Sequence, residues 1–427
     1  MTVPMPSLES VTVTIWVKTG SRNEDKKVGG ISHFLEHMVF KGSKKRPTAR
    51  EISQAVDAMG GEFNAATSKE WTNFYIKVGK ENLPSAMDIL SDMVLNPLME
   101  RGEIEREKGT IIQEIRMYED TPMMHIGDIF EELAFEGNPL GWETAGSEKT
   151  VKGITRDDFT NYRKAFYRPE NMLVTVAGGV TEKTALELAE KYFRNFRDSG
   201  SKLRTNSNIQ FTNKQAGPKF RLQTKKSEQA HLIMGFMSEG RNYEGRFAQG
   251  LLSIILGGGM SSRMFIEVRE RRGLAYSVRT SMDRYQEVGY MGTYAGVNVD
   301  KIDEAIAVML NQHYGISSGE LPITDKELTK AKGFLKGNLA LALEDTKDVS
   351  GFFGEPELFG SEILTPEEVG RRIDAVTLTD VYSEAKKLFT SKRLNLAIIG
   401  PFKDREKFVQ LLKKNERIGV SGNRHKS

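Results

Sequence analysis

The chain of 427 residues contains no cysteine. That excludes a disulfide framework and a thiolate metal centre, and it leaves imidazole and carboxylate as the donors for any zinc. It also fits a cytoplasmic protein, the location expected here. Long hydrophobic runs are missing too: no stretch approaches the roughly 18 to 20 apolar residues of a membrane span. Met1 to Ser10 has no charged segment followed by an apolar run, so it does not read as a secretory signal. Charge of one sign is scarce, with 61 Lys and Arg against 58 Asp and Glu. No basic block with interleaved aromatics appears, so neither nucleic acid nor a membrane is expected as a partner. Histidine is rare as well. Of the six, His33, His37, His125, His231, His313 and His425, only the first two are clustered.

What is present describes a globular protein, with 38% hydrophobic and 28% charged residues. The length exceeds one ordinary core, so two or more domains are expected. Val11 to Lys18 is rich in β-branched residues and reads as a strand. Phe63 to Thr67 and Thr72 to Val78 read as paired strands. Helices are predicted over Leu83 to Leu95, Glu100 to Tyr118 (ended by Asp120-Thr121-Pro122), Asp157 to Phe166 and Thr181 to Phe193. Asn171 to Ala177 reads as a further strand. Residues 199–218 are polar and read as a linker.

After that linker the order begins again. Asn171 to Gly178 (NMLVTVAG) resembles Arg393 to Gly400 (RLNLAIIG), an offset of 400 − 178 = 222. Ile154-Thr155-Arg156-Asp157 matches Val376-Thr377-Leu378-Thr379 at the same offset. Gly20 and Gly240 stand in similar turns, 240 − 20 = 220 apart. A near-constant offset implies duplication of one unit. The expected fold is therefore α+β, with two similar domains, each a mostly antiparallel sheet packed with helices. The expected division is 1–198 for a metal-binding domain, 199–218 for the linker and 219–427 for its counterpart.

The chemistry concentrates in Gly29-Gly30-Ile31-Ser32-His33-Phe34-Leu35-Glu36-His37-Met38. On a helix, His33 and His37 stand one turn apart on one face and can close on one metal ion. Glu36 lies beside them. At about 100° per residue, Ile31, Phe34, Leu35, Met38 and Val39 take the opposite side and can enter a core. This is the inverted order of the commoner zinc-helix motif. Two histidines need a third donor. On the helix through Glu100 to Tyr118, Ile104, Ile111, Ile115 and Tyr118 form an apolar stripe. Glu107 and Glu114, seven residues apart, lie on its edge, separated by only about 20° around the axis and about 10 Å along it. A cation would offset the cost of burying such carboxylates; a salt bridge to Arg106 or Arg116 is the structural alternative. Two histidines and one Glu would leave zinc an open position, as in a catalytic site.

With these residues the chain resembles the pitrilysin family of inverted-motif zinc peptidases, in its half-size branch that includes mitochondrial processing peptidase β-type subunits. The resemblance spans nearly the whole length. It is carried by Gly-Ile-Ser-His-Phe-Leu-Glu-His-Met from Gly30, Phe-Lys-Gly from Phe40 and Glu-Arg-Glu-Lys-Gly-Thr-Ile-Ile-Gln-Glu-Ile from Glu105. It implies one Zn2+ per chain on His33, His37 and Glu114, with 114 − 37 = 77 separating the last two. It implies Glu36 as general base, and a supporting catalytic role for Glu107. Leu256 to Arg263 resembles the family's glycine-rich loop. Arg269 to Val278 resembles the segment with its substrate-binding Arg and Tyr, which fall on Arg269 and Tyr276. Phe63 to Thr67 resembles its edge strand, so Asn64 and Ala65 are expected to bind an extended peptide. The resemblance implies one more strand before Met5-Pro6-Ser7, and the chain starts just short of it, so either the start is truncated or the sheet edge is completed otherwise.

The function expected is zinc-dependent endopeptidase cleavage of unfolded peptides, inside a clamshell formed by two chains. Because the metal motif and the Arg–Tyr pair lie in different halves, a homodimer would carry composite active sites. The alternatives are a non-catalytic subunit of a peptidase-like complex and an obligate heterodimer.

Overall fold

The computed structural model describes residues 1–196 and 210–421. It contains two five-stranded sheets. In the first, β1 (Thr2–Pro4), β2 (Ser10–Val17), β3 (Glu62–Thr67), β4 (Thr72–Gly79) and β5 (Met172–Gly178) take the order β1-β5-β2-β4-β3. In the second, β6 (Lys219–Thr224), β7 (Gln229–Glu239), β8 (Ala275–Arg284), β9 (Val288–Asn298) and β10 (Leu394–Gly400) take the order β6-β10-β7-β9-β8. Each sheet has one parallel pair at one edge and is otherwise antiparallel. The fold is α+β, built from two similar domains.

The duplication extends to the caps. The helix Arg156–Phe166 is entered from Thr155, whose hydroxyl accepts from the Asp158 N–H while the Asp158 carboxylate accepts from Thr155. The helix Leu378–Leu388 repeats this with Thr377 and Asp380, at an offset of 377 − 155 = 222. Such reciprocal capping satisfies two N–H groups that the helix leaves free, so both copies start at the same place.

The packing units are not the contiguous halves 1–198 and 219–427. The described residues of Met1–Met117, Trp142–Ile209 and Leu341–Ile363 form one unit; those of Tyr118–Gly141, Gln210–Ala340 and Leu364–Ser427 form the other. Each unit thus borrows a helix from the other half. The cause is that both faces of each sheet must be covered. In β2, Val11, Val13, Ile15 and Val17 face the first unit's own helices. The alternate residues Thr12, Thr14 and Trp16 are equally buried, beneath the borrowed helix Thr346–Phe359. There the hydroxyls pair off, Thr12 with Thr346 at 2.7 Å and Thr14 with Ser350 at 2.8 Å. The second unit borrows Pro122–Ala134, whose Ile126, Ile129, Phe130 and Ala134 join Met237, Tyr290, Ala397 and Ile399 in a separate apolar cluster.

The long charged helix ends at Asp120, as expected, and Thr121 and Pro122 open the borrowed helix, which no sequence signal had marked. The edge of the first sheet is completed by Thr2–Pro4, which pairs in parallel with β5. Of the linker 199–218, residues 199–209 lie outside the described residues. Phe211 and Gln215 belong to the second unit, with Phe211 stacked edge-on to Phe135 at 5.2 Å and Gln215 donating to the Leu394 carbonyl. Among the described residues, no helix is long and apolar enough to cross a membrane.

Candidate metal centre

The motif helix runs Ile31–Val39, with Ile31, Phe34, Leu35, Met38 and Val39 buried and His33, Glu36 and His37 on the partly exposed side. Its first turn offers N–H groups, but Gly30 provides no capping side chain. Glu24 takes that part. One carboxylate oxygen accepts from the Gly30 N–H at 2.7 Å, the other from the Ser32 N–H at 2.8 Å. Burial pushes the Glu24 carboxyl up to about 7, against the pull of these donors. The Ser32 hydroxyl also pairs with that of Tyr162 at 2.7 Å, so the helix start is held from two sides. Gly30 has a φ of 92°, and a Cβ there would come within 2.4 Å of the Ala145 carbonyl oxygen. Only glycine fits. Sequence reasoning missed Glu24; the signal was a helix start at Gly29-Gly30 without Ser, Thr, Asp or Asn.

The third donor comes from the long helix Arg101–Asp120. Ile104, Glu107, Ile111 and Ile115 are buried along it, and Glu114 is partly exposed. The two Nε2 atoms of His33 and His37 stand 3.2 Å apart. The Glu114 carboxylate lies 3.7 Å from His33 Nε2 and 3.5 Å from His37 Nε2. Nitrogens held at about 2.0–2.1 Å on a tetrahedral zinc stand about 3.3–3.4 Å apart, so the three donors fit one such ion. Among the described residues this is the one group able to hold a metal. Burial, and then the proximity of His37, lower His33 to about 4. It is therefore neutral at pH 7, the form that binds metal.

Glu107 is buried but does not pair with Arg106 or Arg116, which turn to Glu103 and Glu148. One of its oxygens lies 2.9 Å from His37 Nδ1 and the other accepts from Lys41 at 2.6 Å. Burial works to raise its carboxyl, but donation from His37 and Lys41 outweighs this and holds it below the usual range. An ionised Glu107 accepts a hydrogen bond from His37 Nδ1–H, which favours the tautomer whose Nε2 is free as a ligand. It meets the His37 ring at the nitrogen opposite the one that faces His33 and Glu114.

Glu36 accepts a hydrogen bond from the hydroxyl of Thr67, the last residue of β3. Burial raises the Glu36 carboxyl, partly opposed by the Thr67 bond. A raised carboxylate is a stronger base at neutral pH. Thr67→Val removes the donor that favours the charged form, so the pKa rises further. The acid limb of kcat/KM is then expected to move to higher pH, with the zinc content unchanged; a pH profile checks it. Asn64 and Ala65 lie on the same strand, an unpaired edge of its sheet. Asn64 is exposed, and its side-chain oxygen accepts from the Ala65 N–H at 2.9 Å.

The profile of the insulinase family, peptidase family M16, matches residues 2–148, and that of the peptidase M16 inactive domain matches residues 153–335. An uncharacterized zinc protease of Streptomyces coelicolor is 36% identical over 95% of the chain and 88% of that protein. The chain belongs to peptidase family M16. Within the family, an uncharacterized zinc protease of Bacillus subtilis, YmxG, is 34% identical, covering 93% of the chain and 94% of its own. A protease from Helicobacter pylori shares the fold with a TM-score of 0.87 at 23% identity, covering 94% and 96% of the two chains.

In this M16 chain the remaining expected site residues lie in the other packing unit. Arg269 sits on a π-helical turn, Phe265–Glu270, with its guanidinium 4.7 Å from the centre of the Phe265 ring and 5.2 Å from that of Tyr276. Tyr276 is 76% exposed, at a break in register on the edge strand β8. A π-turn and a bulge both re-aim side chains and concentrate at functional sites. The glycine-rich loop is anchored by Arg263, which donates to Glu327 and to the carbonyls of Leu321 and Pro322. His313 is buried in the core of this unit, and His231 pairs with the Tyr294 hydroxyl.

Proposed function

We infer that this M16 protein is a zinc-dependent endopeptidase cleaving unfolded peptides. The observation that supports this most is the convergence of His33 Nε2, His37 Nε2 and Glu114 within one ion's reach, with an elevated, partly buried Glu36 on the same helix turn. A purely non-catalytic subunit would have no need of that base. Zinc, when bound, supplies Lewis acidity and lowers the pKa of a coordinated water. Glu36 takes the proton of the attacking water and passes it to the leaving amine nitrogen. Thr67 fixes the orientation of that carboxylate, while Glu107 and Lys41 fix His37. The edge of β3 receives the substrate as an added strand through backbone groups, with Asn64 turning away from the Ala65 N–H. Chelation is expected to abolish cleavage of an unstructured peptide, and zinc to restore it. A zinc-loaded chain without cleavage overturns the reading.

We further propose a homodimer closed around a chamber, in which Arg269 and Tyr276 of one copy serve the metal of the other. There the guanidinium and phenol hold the scissile carbonyl and stabilise its oxyanion. His33→Ala chains mixed with Tyr276→Phe chains are expected to regain part of the activity each has lost, because one site in the mixed dimer is intact. No recovery under demonstrated subunit exchange rules composite sites out.

A further inference from the structure

A cavity of about 320 Å³ lies in the first unit, lined by Pro97, Leu98, Met99, Arg156, Thr160, Arg163, Lys164, Tyr167, Arg168 and Phe196, none of them a residue of the candidate metal group. Four of these ten carry positive charge and none carries negative charge. Arg168 is compensated, its Nε 3.4 Å from Glu170. Among the described residues, Arg156 and Arg163 are not paired with a carboxylate. Arg163 donates from Nη2 to the carbonyls of Val94 and Leu95, at the end of the helix Leu83–Leu95, and Arg156 donates from Nη2 to that of Leu98. These bonds account for one nitrogen of each guanidinium, which carries five N–H donors. They place both groups over the same carbonyl-rich turn and leave their charge standing. Burial lowers Arg163 to about 10, and the one opposing influence is Tyr167. Arg163 is half-buried while Arg156 and Lys164 are exposed, so three cations share one rim, and their summed field favours an anion there.

The rest of the lining is apolar: Pro97, Leu98, Met99, Phe196 and the Tyr167 ring. Met99 is held at a φ of 53°, the one positive value outside glycine among the described residues, and it is buried against this cavity. We propose that the cavity binds a small organic phosphate monoester, its phosphate on Arg156, Arg163 and Lys164 and its apolar body against Leu98, Met99 and Phe196. Two guanidiniums and an ammonium suit a dianion, because arginine forks match phosphate oxygens and lysine adds a point charge. The volume is that of a ligand of this size.

The test is calorimetric titration of the full, zinc-loaded chain at fixed ionic strength, with phenyl phosphate, inorganic phosphate and benzoate. Phenyl phosphate is expected to bind at least 10-fold more tightly than either of the others. Arg156→Ala/Lys164→Ala, both at exposed positions, is expected to weaken it at least 10-fold while circular dichroism stays native. Thr160→Trp, which fills the cavity and leaves every cation in place, is expected to abolish it. Binding must persist after zinc is stripped. Equal affinity for inorganic phosphate, an adventitious ion only, overturns the proposal. So does affinity that survives both variants or vanishes with the zinc.

Discussion

Glu36→Gln is expected to keep the chain's zinc and to lose roughly 10²- to 10⁴-fold in peptide hydrolysis, the range that a positioned general base contributes. Glutamine has nearly the same shape, and its carbonyl oxygen can still accept from Thr67. What disappears is the capacity to take a proton. The three atoms within reach of one ion belong to His33, His37 and Glu114, so metal content should not change. Burial raises the Glu36 carboxyl, so a neutral residue is at least as stable at that place and the melting temperature should not fall. Elemental analysis, a thermal melt and digestion of an unstructured peptide separate the possibilities. Loss of zinc would make Glu36 a ligand, and unchanged turnover would assign the proton transfer elsewhere.

Phe130→Ala is expected to destabilise the second unit by about 3–5 kcal/mol, the cost of removing a large buried aromatic ring. Phe130 is fully buried on the borrowed helix Pro122–Ala134, with its ring centre 4.8 Å from that of Tyr290. It also lies directly over the backbone of Gly235, where a Cβ would come within 2.2 Å of the ring. The site cannot close around the missing side chain, because the strand beneath it is held on both sides by β9 and β10. The protein offers a way to localise the effect. Its three tryptophans, Trp16, Trp71 and Trp142, all belong to the first unit. In denaturant, the far-ultraviolet circular dichroism transition should therefore split, its early phase shifted. The tryptophan fluorescence midpoint should stay. If both signals shift together by the same amount, the borrowed helix does not stabilise its unit independently.

The elements that were legible in the sequence are those whose signal is local. The motif helix shows its two faces within nine residues, and β2 shows its β-branched run. The offset of 222 between the Thr155 and Thr377 caps is a direct count. At the metal centre, the helix edge offered Glu107 and Glu114 alike, and the family resemblance chose Glu114. The partnership of Glu107 with Lys41 was not legible, since Lys41 lies in the turn after the motif helix and nothing near either residue shows that the two segments meet. The two borrowed helices were missed for a related reason. Alternation along β2 puts Thr12, Thr14 and Trp16 on the face opposite Val11, Val13, Ile15 and Val17, and nothing local shows what covers them. They are buried only because a segment more than 300 residues later lies on them, 346 − 12 = 334 for the Thr12–Thr346 pair. Pro122 read as a stop because a proline after a helix ends it, yet at the first turn of the next helix it costs nothing. Glu24 escaped because its acceptors serve a helix that begins several residues later.

The borrowed helices also govern how the protein can be made. A ribosome releases β5 long before Thr346, with 346 − 178 = 168 residues between the strand's end and the helix that covers its sheet. At about 5–20 residues per second, the nascent chain spends on the order of 10 to 30 seconds with Trp16 and the threonines of β2 uncovered. The first sheet therefore cannot be finished when its own strands have been made, and the motif helix reaches a completed scaffold only after Thr346–Phe359 has left the ribosome.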